Sequence, residues 1–399
     1  MAWISLAKIL IIVFGLAYLI ANKAKNQCEP VSKVLWTPWA ILATLFAFSL
    51  SLVWTGADQE VALQTLVKHG KLLEILVLIS LIRTAQEARV AMTAFAAGQA
   101  VLLLSSWSMA TGIPIPWTTS SGSKYVVFST YLDQSIIFAT AAGVFWHLRS
   151  DSLWPRWLGT LLAAAALVNV LMLLEGRTGY LVALTVISLS VMWAMPRRLG
   201  LTTLVATPVI LLFGLYFGST QVQERLSTMI HESQTYATQG VSGSSSGWRL
   251  NAWHRSVEAI KEKPWLGHGV GSWTMTVKRL EGSSATKVFG EGKASNPHQE
   301  YLLWGVELGI AGTLLLLSFM ACLVRDALRF RTAIARSTIS VVAAMAVACL
   351  FNSALYDGLI GDFFCISVGL LLALGIRSEP TLSNSIILAP APARSRDIT

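Results

Sequence analysis

Three basic side chains lie where polar stretches of the chain meet apolar ones. Arg177 is in "LLEGRTGYLVAL", Arg249 is in "WRLNAWHRSVEAIKEKPW", and His298 is in "SNPHQEYLLWGVELGIAG". Guanidinium groups bind phosphate oxygens through two parallel hydrogen bonds, and a neutral imidazole accepts a proton from a hydroxyl. These residue types suit a reaction in which a hydroxyl attacks and a diphosphate leaves. His298 is therefore the candidate base, and Arg177 and Arg249 are the candidate ligands of the diphosphate.

Local sequence signals predict the protonation state of His298. Asn296 is a good N-cap and Pro297 a good first helical residue, so a helix is expected to begin near residue 297. His298 then lies in the first turn, where the positive end of the helix dipole disfavours the imidazolium. The ring is expected to be neutral near pH 7, as a general base requires. The alternative is a histidine that only hydrogen-bonds lipid headgroups.

The two arginines also have alternative explanations. Arg249 lies at or near the N-terminus of a predicted helix, where a bound anion would offset the unfavourable contact between the cation and the helix dipole. Without such an anion, Arg249 is simply hydrated. Arg177 lies at a short turn between two spans, where it can bind substrate, extend to the membrane surface or pair with Glu175. An exposed pair of that kind contributes little stability.

Further polar residues at the same surface are weaker candidates for substrate binding. Acidic residues in or near spans are functional candidates because charge is costly in lipid, although those close to the surface can simply be solvated. Arg255 follows Arg249 by about one and a half helical turns, on another face. The complete set of weaker candidates is Arg255, Asp133, Gln134, Glu175, Asn296, Tyr356 and Asp357.

Several catalytic motifs are absent from the sequence. It has no Asp-x-Asp pair to hold Mg²⁺ on a nucleotide-sugar, no P-loop, no HExxH and no GxSxG. The stretch "GHGVGSW" lacks a preceding strand and is predicted to be a turn rather than a phosphate-binding loop. The four cysteines show neither a disulfide framework nor the spacing of metal ligands. We therefore expect neither a metal ion nor a cofactor.

The elements that must position these residues are membrane-spanning helices. Of the 399 residues, 54% are hydrophobic and only 13% are charged, which excludes a typical soluble protein. Spans must be helical because lipid offers the backbone no hydrogen-bond partner. The sequence predicts an all-α polytopic membrane protein with about eleven or twelve transmembrane helices. Eleven apolar runs are predicted as spans, near residues 3–21, 35–54, 62–82, 90–107, 127–147, 157–174, 178–195, 199–218, 301–323, 338–353 and 360–376.

One connection is much longer than the others and divides the chain. Residues 219–300 are too many for a plain loop, and loops of this length are usually functional or disordered. The predicted organisation is an N-terminal transmembrane part at 1–218, a large loop at 219–300, a C-terminal transmembrane part at 301–376 and a disordered cytoplasmic tail at 377–399.

The positive-inside rule assigns the two sides of the membrane. One set of alternate short loops, together with the tail, holds sixteen Lys and Arg residues, whereas the other short loops hold only Lys68, Lys71, Lys124 and Arg177. The first set is therefore predicted to be cytoplasmic. The large loop and the candidate residues then face outside. The net charge of +9 reflects this bias rather than nucleic-acid binding.

Within the large loop, a Gly/Ser-rich stretch precedes a predicted helix at 249–263. Leu250, Trp253, Val257 and Ile260 recur at helical spacing and give this helix an apolar stripe. A helix of this kind can lie on the membrane or cap the bundle. The second possibility is a mobile lid over an outward-facing cavity.

Taken together, these motifs resemble the O-antigen ligase family, which belongs to a superfamily with O-antigen polymerases and protein O-oligosaccharyltransferases. The resemblance covers roughly residues 125–375. It rests on the order and sidedness of "GRTGYL", of the Trp, Pro and Gly-rich turn that follow Arg249, and of "NPHQEYLLWGVELGIAG". Members of the family have twelve spans with both termini cytoplasmic. The eleven spans predicted here depart from that number by one and place the N-terminus outside.

The resemblance implies a specific reaction. The donor would be an O-antigen glycan on undecaprenyl diphosphate, and the acceptor a sugar hydroxyl of lipid A–core. The product would be complete lipopolysaccharide at the periplasmic face of a Gram-negative inner membrane, made without ATP or metal. Arg177 and Arg249 would neutralise the charge that develops on the diphosphate, and His298 would deprotonate the acceptor in a single inverting displacement.

Three other functions stay open. An O-antigen polymerase would use the same donor, with a growing glycan as acceptor. A protein O-oligosaccharyltransferase is less favoured, because many of these enzymes carry an additional C-terminal periplasmic region. A transporter of lipid-linked glycans would place charged residues near the membrane midplane, whereas the candidate residues here cluster at the outer surface.

Overall fold

The described part of the chain is built from helices. The structure, a computed structural model, describes residues 35–118, 124–151, 153–218, 220–239, 244–282 and 296–378, and those ranges contain no strand. The predicted all-α fold is confirmed. The predicted first span at 3–21 lies outside the described residues, and so do all but the first two residues of the predicted tail. The choice between eleven and twelve spans, and the side of the N-terminus, therefore stay predictions.

The helices follow the predicted order along the chain. The part before the large loop contains α1 Thr37–Leu50, α2 Gln59–His69, α3 Leu73–Leu81, α4 Ala85–Ala110, α5 Tyr131–Leu148, α6 Arg156–Met172, α7 Arg177–Ala194 and α8 Gly200–Gly218. The large loop contains α9 Thr220–Gln239, α10 Ser245–Glu262 and α11 Trp273–Glu281. The part after it contains α12 Glu300–Leu308, α13 Ile310–Ala327, α14 Thr332–Phe351 and α15 Gly358–Ser378.

The length and composition of these helices are those of a multi-pass membrane protein. Among the described residues, six helical stretches are long and apolar enough to cross a membrane. They are Ala85–Ala110, Arg177–Ala194, Arg197–Gly218, Ile310–Ala327, Thr332–Phe351 and Gly358–Ser378. Two shorter apolar stretches, Thr37–Val53 and Arg156–Met172, complete this set.

Two predicted spans are not continuous helices. The predicted span at 62–82 consists of α2 and α3, separated by a short 3-10 turn at Gly70–Leu72. The predicted span at 301–323 breaks at Gly309, where φ is +70°. The reason is a docking contact, because the backbone N–H of Ile310 donates to the carbonyl of Pro264 at 2.7 Å. A Cβ at Gly309 would lie 2.5 Å from that carbonyl oxygen, so the chain can approach this closely only at a glycine.

The centre of the bundle is α5, whose residues from Gln134 to Leu148 are almost all buried. It contacts α6, α7 and α14. Gly143 lies at one close contact, since a Cβ there would meet Val186 at 2.9 Å and Ser340 at 3.3 Å. Small residues allow transmembrane helices to approach closely. Dispersion contacts between the helices then stabilise their association, because the hydrophobic effect does not favour it within lipid. This packing fixes the start of α5 and the start of α7 at the same end of the bundle.

Contacts join loops within each of the two predicted sets. In the set predicted to be cytoplasmic, Asp326 accepts hydrogen bonds from the backbone N–H groups of Trp36 and Thr37, each at 2.8 Å. In the set predicted to be outside, the ammonium group of Lys71 donates to the carbonyl of Asp357 at 2.6 Å. The alternation predicted from the basic residues therefore matches the contacts, and the candidate residues share one end of the bundle.

In the large loop, helix α10 packs through a row of small side chains. Ala252, Ser256 and Ala259 are fully buried, whereas Val257 of the predicted apolar stripe is 40% exposed. The small side chains allow close packing, and the indole N–H of Trp273 in α11 donates to the hydroxyl of Ser256 at 2.9 Å. Of the predicted stripe, Leu250, Trp253 and Ile260 are half-buried, and the side that the stripe turns toward the membrane stays a prediction.

Candidate active site

The N-terminus of α10 is fixed by side-chain caps and lies beside α7. The hydroxyl of Ser244 caps the helix by accepting from the N–H of Gly247 at 3.1 Å. The carboxylate of Glu232 in α9 accepts from the N–H of Ser246 at 3.2 Å. Arg177, the first residue of α7, donates to the hydroxyl of the same serine at 3.4 Å. The carboxylate of Glu232 thus occupies this positive helix end, and the hydrogen bonds from Ser246, together with the nearby charge of Arg177, lower its pKa.

Arg249 lies in the second turn of α10, beside Arg177. The side chain is half-buried. Burial lowers the pKa of Arg249, and so does the charge of Arg177, whereas Tyr131 and Asp357 raise it. Across the described chain, no carboxylate forms an ion pair with Arg249 and no acceptor hydrogen-bonds it. An arginine does not lose its proton in a protein, so a half-buried cation without a partner is costly.

The sequence predicted His298 in the first turn of a helix, but the structure places it just before a helix begins. Helix α12 begins at Glu300 and is capped by Gln299, whose side-chain oxygen accepts from the N–H of Leu302 at 2.6 Å. Asn296 instead accepts from the N–H of His298 at 2.9 Å, which is an Asx turn rather than a helix cap. The backbone of His298 is left-handed, with φ +49°. The prediction failed because two residues in this stretch have capping side chains.

The His298 ring is held from two sides. Its Nδ1 lies 3.0 Å from Oδ1 of Asn352. The indole of Trp248 packs edge-on against it, with 5.3 Å between ring centroids. Burial lowers the pKa of the imidazole below its usual value, with a further contribution from Arg249, while the Asn352 hydrogen bond acts in the opposite direction. The neutral ring predicted from the sequence is thus favoured, but by burial and a neighbouring cation rather than by a helix dipole.

Two acidic candidates lie at the same end of the bundle. Burial raises the pKa of Asp357 to about 7, and the nearby carboxyl groups of Glu300 and Asp133 add to this effect. Lys71 and Lys68 oppose it. Asp357 thus exchanges its proton close to neutral pH. The side chain of Asp133, which also accepts a hydrogen bond from the hydroxyl of Ser129, is close enough to act on it.

Glu300 shapes the loop that carries Asp357. Its carboxylate accepts from the N–H groups of Leu355 at 3.0 Å and Tyr356 at 3.2 Å, and from the indole of Trp304 at 2.7 Å. The Tyr356 side chain is buried, and the ammonium of Lys68 lies 4.0 Å from its ring centroid. Tyr356 therefore belongs to the support beneath the site, and its ring lies against Lys68.

Four of the weaker candidates are placed elsewhere or bound within the protein. Arg255 is ion-paired with Glu281 at 2.6 Å and with Glu258 at 2.7 Å. The buried Gln134 amide is hydrogen-bonded at both ends, accepting from Val127 N–H at 2.8 Å and donating to the Tyr125 carbonyl at 3.0 Å. Asn296 forms the turn before His298, and Glu175 lies exposed just before α7.

Sequence reasoning missed several contacts of the central residues. Asn352 follows the last turn of α14, Tyr131 begins α5, and Trp248 precedes Arg249. All three lie near an end of a helix on the side predicted to be outside, which was the only available signal. Their pairing with His298 or Arg249 joins segments far apart in the sequence. As for metals, the described ranges contain no group of three or more His, Cys, Asp or Glu side chains that could hold an ion.

The sequence itself matches a known family in the region that carries the central residues. Residues 162–317 match the family model described as O-Antigen ligase. The chain contains an O-antigen ligase family domain. Arg177, Arg249 and His298 all fall within the matched segment, whereas Asn352 and Asp357 lie beyond it. A search of curated proteins finds no match to the chain.

The O-antigen ligase domain confirms the resemblance drawn from the short motifs. The match supports an enzyme of the glycosyltransferase-like ligase and polymerase type. In this chain the domain spans α7, the large loop and the start of the C-terminal transmembrane part. These are the elements that bring the arginines and the histidine together.

Proposed function

We propose that this protein transfers an O-antigen glycan from undecaprenyl diphosphate to a sugar hydroxyl of lipid A–core, at the periplasmic face of the Gram-negative inner membrane. The observation that supports it best is Arg249, a half-buried cation with no carboxylate partner in the part of the chain that is described. A half-buried cation without an ion pair suits the binding of an anionic ligand. The diphosphate of the donor supplies that anion.

The two arginines would stabilise the leaving group. As the anomeric C–O bond breaks, its electron pair moves to the diphosphate, and negative charge grows on the phosphate oxygens. Arg177 and Arg249 are close enough for one cation to lower the pKa of the other. Two neighbouring cations repel each other, and an anion bound between them removes that cost. Their attraction for the diphosphate therefore increases as its charge grows, which is the requirement for catalysis.

His298 would act as the general base. Its Nδ1 is engaged by Asn352, and within the described residues Nε2 has no hydrogen-bond partner. Nε2 accepts the proton of the acceptor hydroxyl while the hydroxyl oxygen forms a bond to the anomeric carbon. The C–O bond to the diphosphate breaks on the opposite side, so the anomeric configuration inverts. The imidazolium then returns its proton to water, and the enzyme is ready for the next donor.

The acceptor distinguishes the proposed ligase from an O-antigen polymerase. Both enzymes would use the same diphosphate clamp and the same base, because the donor and the bond that breaks are the same. The family match covers both types of enzyme and does not separate them; a ligase would transfer the glycan to lipid A–core. A polymerase would instead extend a second lipid-linked glycan.

Purified full-length protein tests this proposal with defined substrates. The donor is undecaprenyl diphosphate carrying O-antigen repeats, offered with lipid A–core or with lipid-linked glycan alone, in excess EDTA. We expect glycan on lipid A–core, no elongation of lipid-linked glycan, and an inverted anomeric linkage by NMR. The His298→Ala protein is the blank.

Each contrary outcome identifies a different error. Longer lipid-linked glycans with unmodified lipid A–core would make the protein a polymerase. A retained anomeric configuration would exclude the single displacement. Activity that disappears with EDTA and returns with Mg²⁺ would show that a metal, rather than the arginine pair, neutralises the leaving group.

A further inference from the structure

Asn352 is a buried amide with one end bound and the other end without a partner. It ends α14 in an extended conformation, with φ −152° and ψ 156°, and its backbone N–H donates to Ala348 at 2.8 Å. Its side chain is fully buried. Oδ1 lies 3.0 Å from Nδ1 of His298, whereas Nδ2 has no hydrogen-bond partner in the described chain. An asparagine kept only for structure would use both ends of its amide.

The orientation of this amide determines what the imidazole can do. A neutral imidazole carries its proton on one nitrogen and a lone pair on the other. With Oδ1 as acceptor, the proton lies on Nδ1 and the lone pair lies on Nε2. With the amide reversed, Nδ2 would donate to Nδ1, and the proton would lie on Nε2. Only the first arrangement lets Nε2 accept a proton from a substrate hydroxyl.

We propose that Asn352 is the positioning residue of His298, which fixes both the ring orientation and the tautomer that makes Nε2 the base. This inference rests on the proposed function, because it assigns a partner to the base proposed there. The fixed tautomer saves the reorganisation that a free ring would need before each proton transfer. The role resembles that of the third group in other nucleophile–base arrangements, where a carboxylate or an amide orients a histidine.

A neutral amide also suits the charges around the ring. Arg249 of α10 lowers the pKa of His298, and Tyr131 of α5 and Asp357 act on Arg249 in turn. A carboxylate at position 352 would stabilise the imidazolium and raise the pKa of the base. It would also add negative charge to the end of the bundle that holds Asp357, whose pKa is already raised to about 7. The amide accepts the Nδ1 proton without either consequence.

Two substitutions at position 352 test the role in the full-length protein. In Asn352→Leu, which keeps the side-chain size and removes the acceptor, we expect kcat to fall about 10- to 100-fold while the donor KM stays within about twofold. In Asn352→Asp, the carboxylate still accepts from Nδ1, so kcat at high pH should stay within about tenfold of the wild-type value. Because the rate falls as the base becomes protonated, the acidic limb of kcat/KM should move to higher pH by about 1 unit.

Asn169→Leu is the matched control for loss of a buried amide. Asn169 is fully buried in α6 and hydrogen-bonds Ser106 at 3.1 Å, and no hydrogen bond of the described residues joins it to His298. We expect this variant to lower the thermal midpoint without moving the acidic limb or reducing kcat per folded enzyme more than about threefold.

The outcomes separate this inference from the proposed function. Wild-type kcat and an unmoved acidic limb in the two Asn352 variants, together with inactive His298→Ala, would overturn the positioning role and leave the base in place. If His298→Ala itself is active, the proposed function loses its base. Reduced thermal stability with full kcat per folded enzyme in Asn352→Leu would show that the amide is structural.

Discussion

Two arginines of the same helix, Arg249 and Arg255, have opposite environments. Arg255 is held by the carboxylates of Glu258 and Glu281, at 2.7 Å and 2.6 Å. Arg249 is half-buried and has no carboxylate partner within the described ranges. Both belong to the stretch "WRLNAWHRSVEAIKEKPW", and both have the same guanidinium group. The two arginines differ in the residues that surround their side chains. A structural arginine is therefore distinguished from a candidate ligand-binding one by its partners and not by its residue type.

The physical reason is the position of each face relative to the membrane bundle. The Arg255 face packs on α11, whose last residue Glu281 also accepts from Asn251 at 3.0 Å. Arg249 lies close enough to Tyr131 of α5 and Arg177 of α7 for both to affect its pKa. A buried charge without a counter-charge costs far more than a surface pair gains. We therefore expect Arg255 to stabilise the loop fold, and we propose Arg249 as the ligand of the donor diphosphate.

The largest expected effect is a loss of activity on substitution of His298 that does not occur on substitution of His254. His298→Ala should reduce kcat about 10²- to 10⁴-fold, the usual contribution of a general base, while the protein still inserts and extracts normally. His254 lies next to Arg255 on α10 with its side chain 61% exposed, 3.8 Å from Glu258. His254→Ala should leave kcat within about twofold of the wild-type value. Initial rates with saturating donor and acceptor measure both.

Equal activity of the two alanine variants would show that His298 is no more important for the reaction than the exposed His254. In that case the base is another group, and Glu175, Asp133 and Asp357 are the remaining candidates at this end of the bundle. A large loss in both variants would instead indicate that the fold of the loop helix, rather than a base, is sensitive to substitution.

A smaller effect, on thermal stability, is expected at two carboxyl groups: Asp357, which acts on Arg249, and Glu281, which pairs with Arg255. Asp357 has its pKa raised to about 7, so between pH 4 and pH 7 the folded protein holds a proton that the unfolded chain has released. Stability therefore decreases as pH rises through this window, and the loss is complete above it. Asp357→Asn removes the loss, so its thermal midpoint should exceed that of the wild type by about 1–3 °C at pH 8 and match it near pH 4.

Glu281→Gln should change stability in the opposite direction. It removes the charged partner of Arg255 and weakens the hydrogen bond from Asn251. We expect a lower thermal midpoint at pH 8, by about 1–3 °C. A decrease for Asp357→Asn at pH 8 would mean that this carboxylate, when ionised, has a stabilising partner, and the raised pKa would have to be abandoned.

The sequence was sufficient for the fold class, and it named three candidate residues that the structure places at one end of the bundle. Apolar runs predict helices in lipid because the backbone has no other partner there, and basic residues distinguish the loops. Arg177, Arg249 and His298 were found because each stands where a polar stretch meets an apolar run. Their chemistry follows from residue type, which a sequence displays directly.

The remaining details depend on contacts between distant segments. His298 and Asn352 are 54 positions apart, and no local pattern joins them. The break at Gly309 follows from the approach of Pro264, which hydropathy does not report. Arg249 and Arg255 could be told apart only once Glu281 was placed against α10. Local signals also compete, since Asn296 and Gln299 are both capping residues and the second begins the helix.

The affinity of purified protein for undecaprenyl diphosphate, compared between Arg249→Lys and Arg255→Lys, tests the central claim most directly. Lysine keeps the charge but loses the planar pair of donors that suits a diphosphate. We expect Arg249→Lys to weaken binding about tenfold or more, Arg177→Lys to behave similarly, and Arg255→Lys to bind within about twofold of the wild type. If Arg249→Lys and Arg255→Lys bind the lipid diphosphate equally well, Arg249 is not its ligand and the assignment of this end of α10 to the donor is wrong.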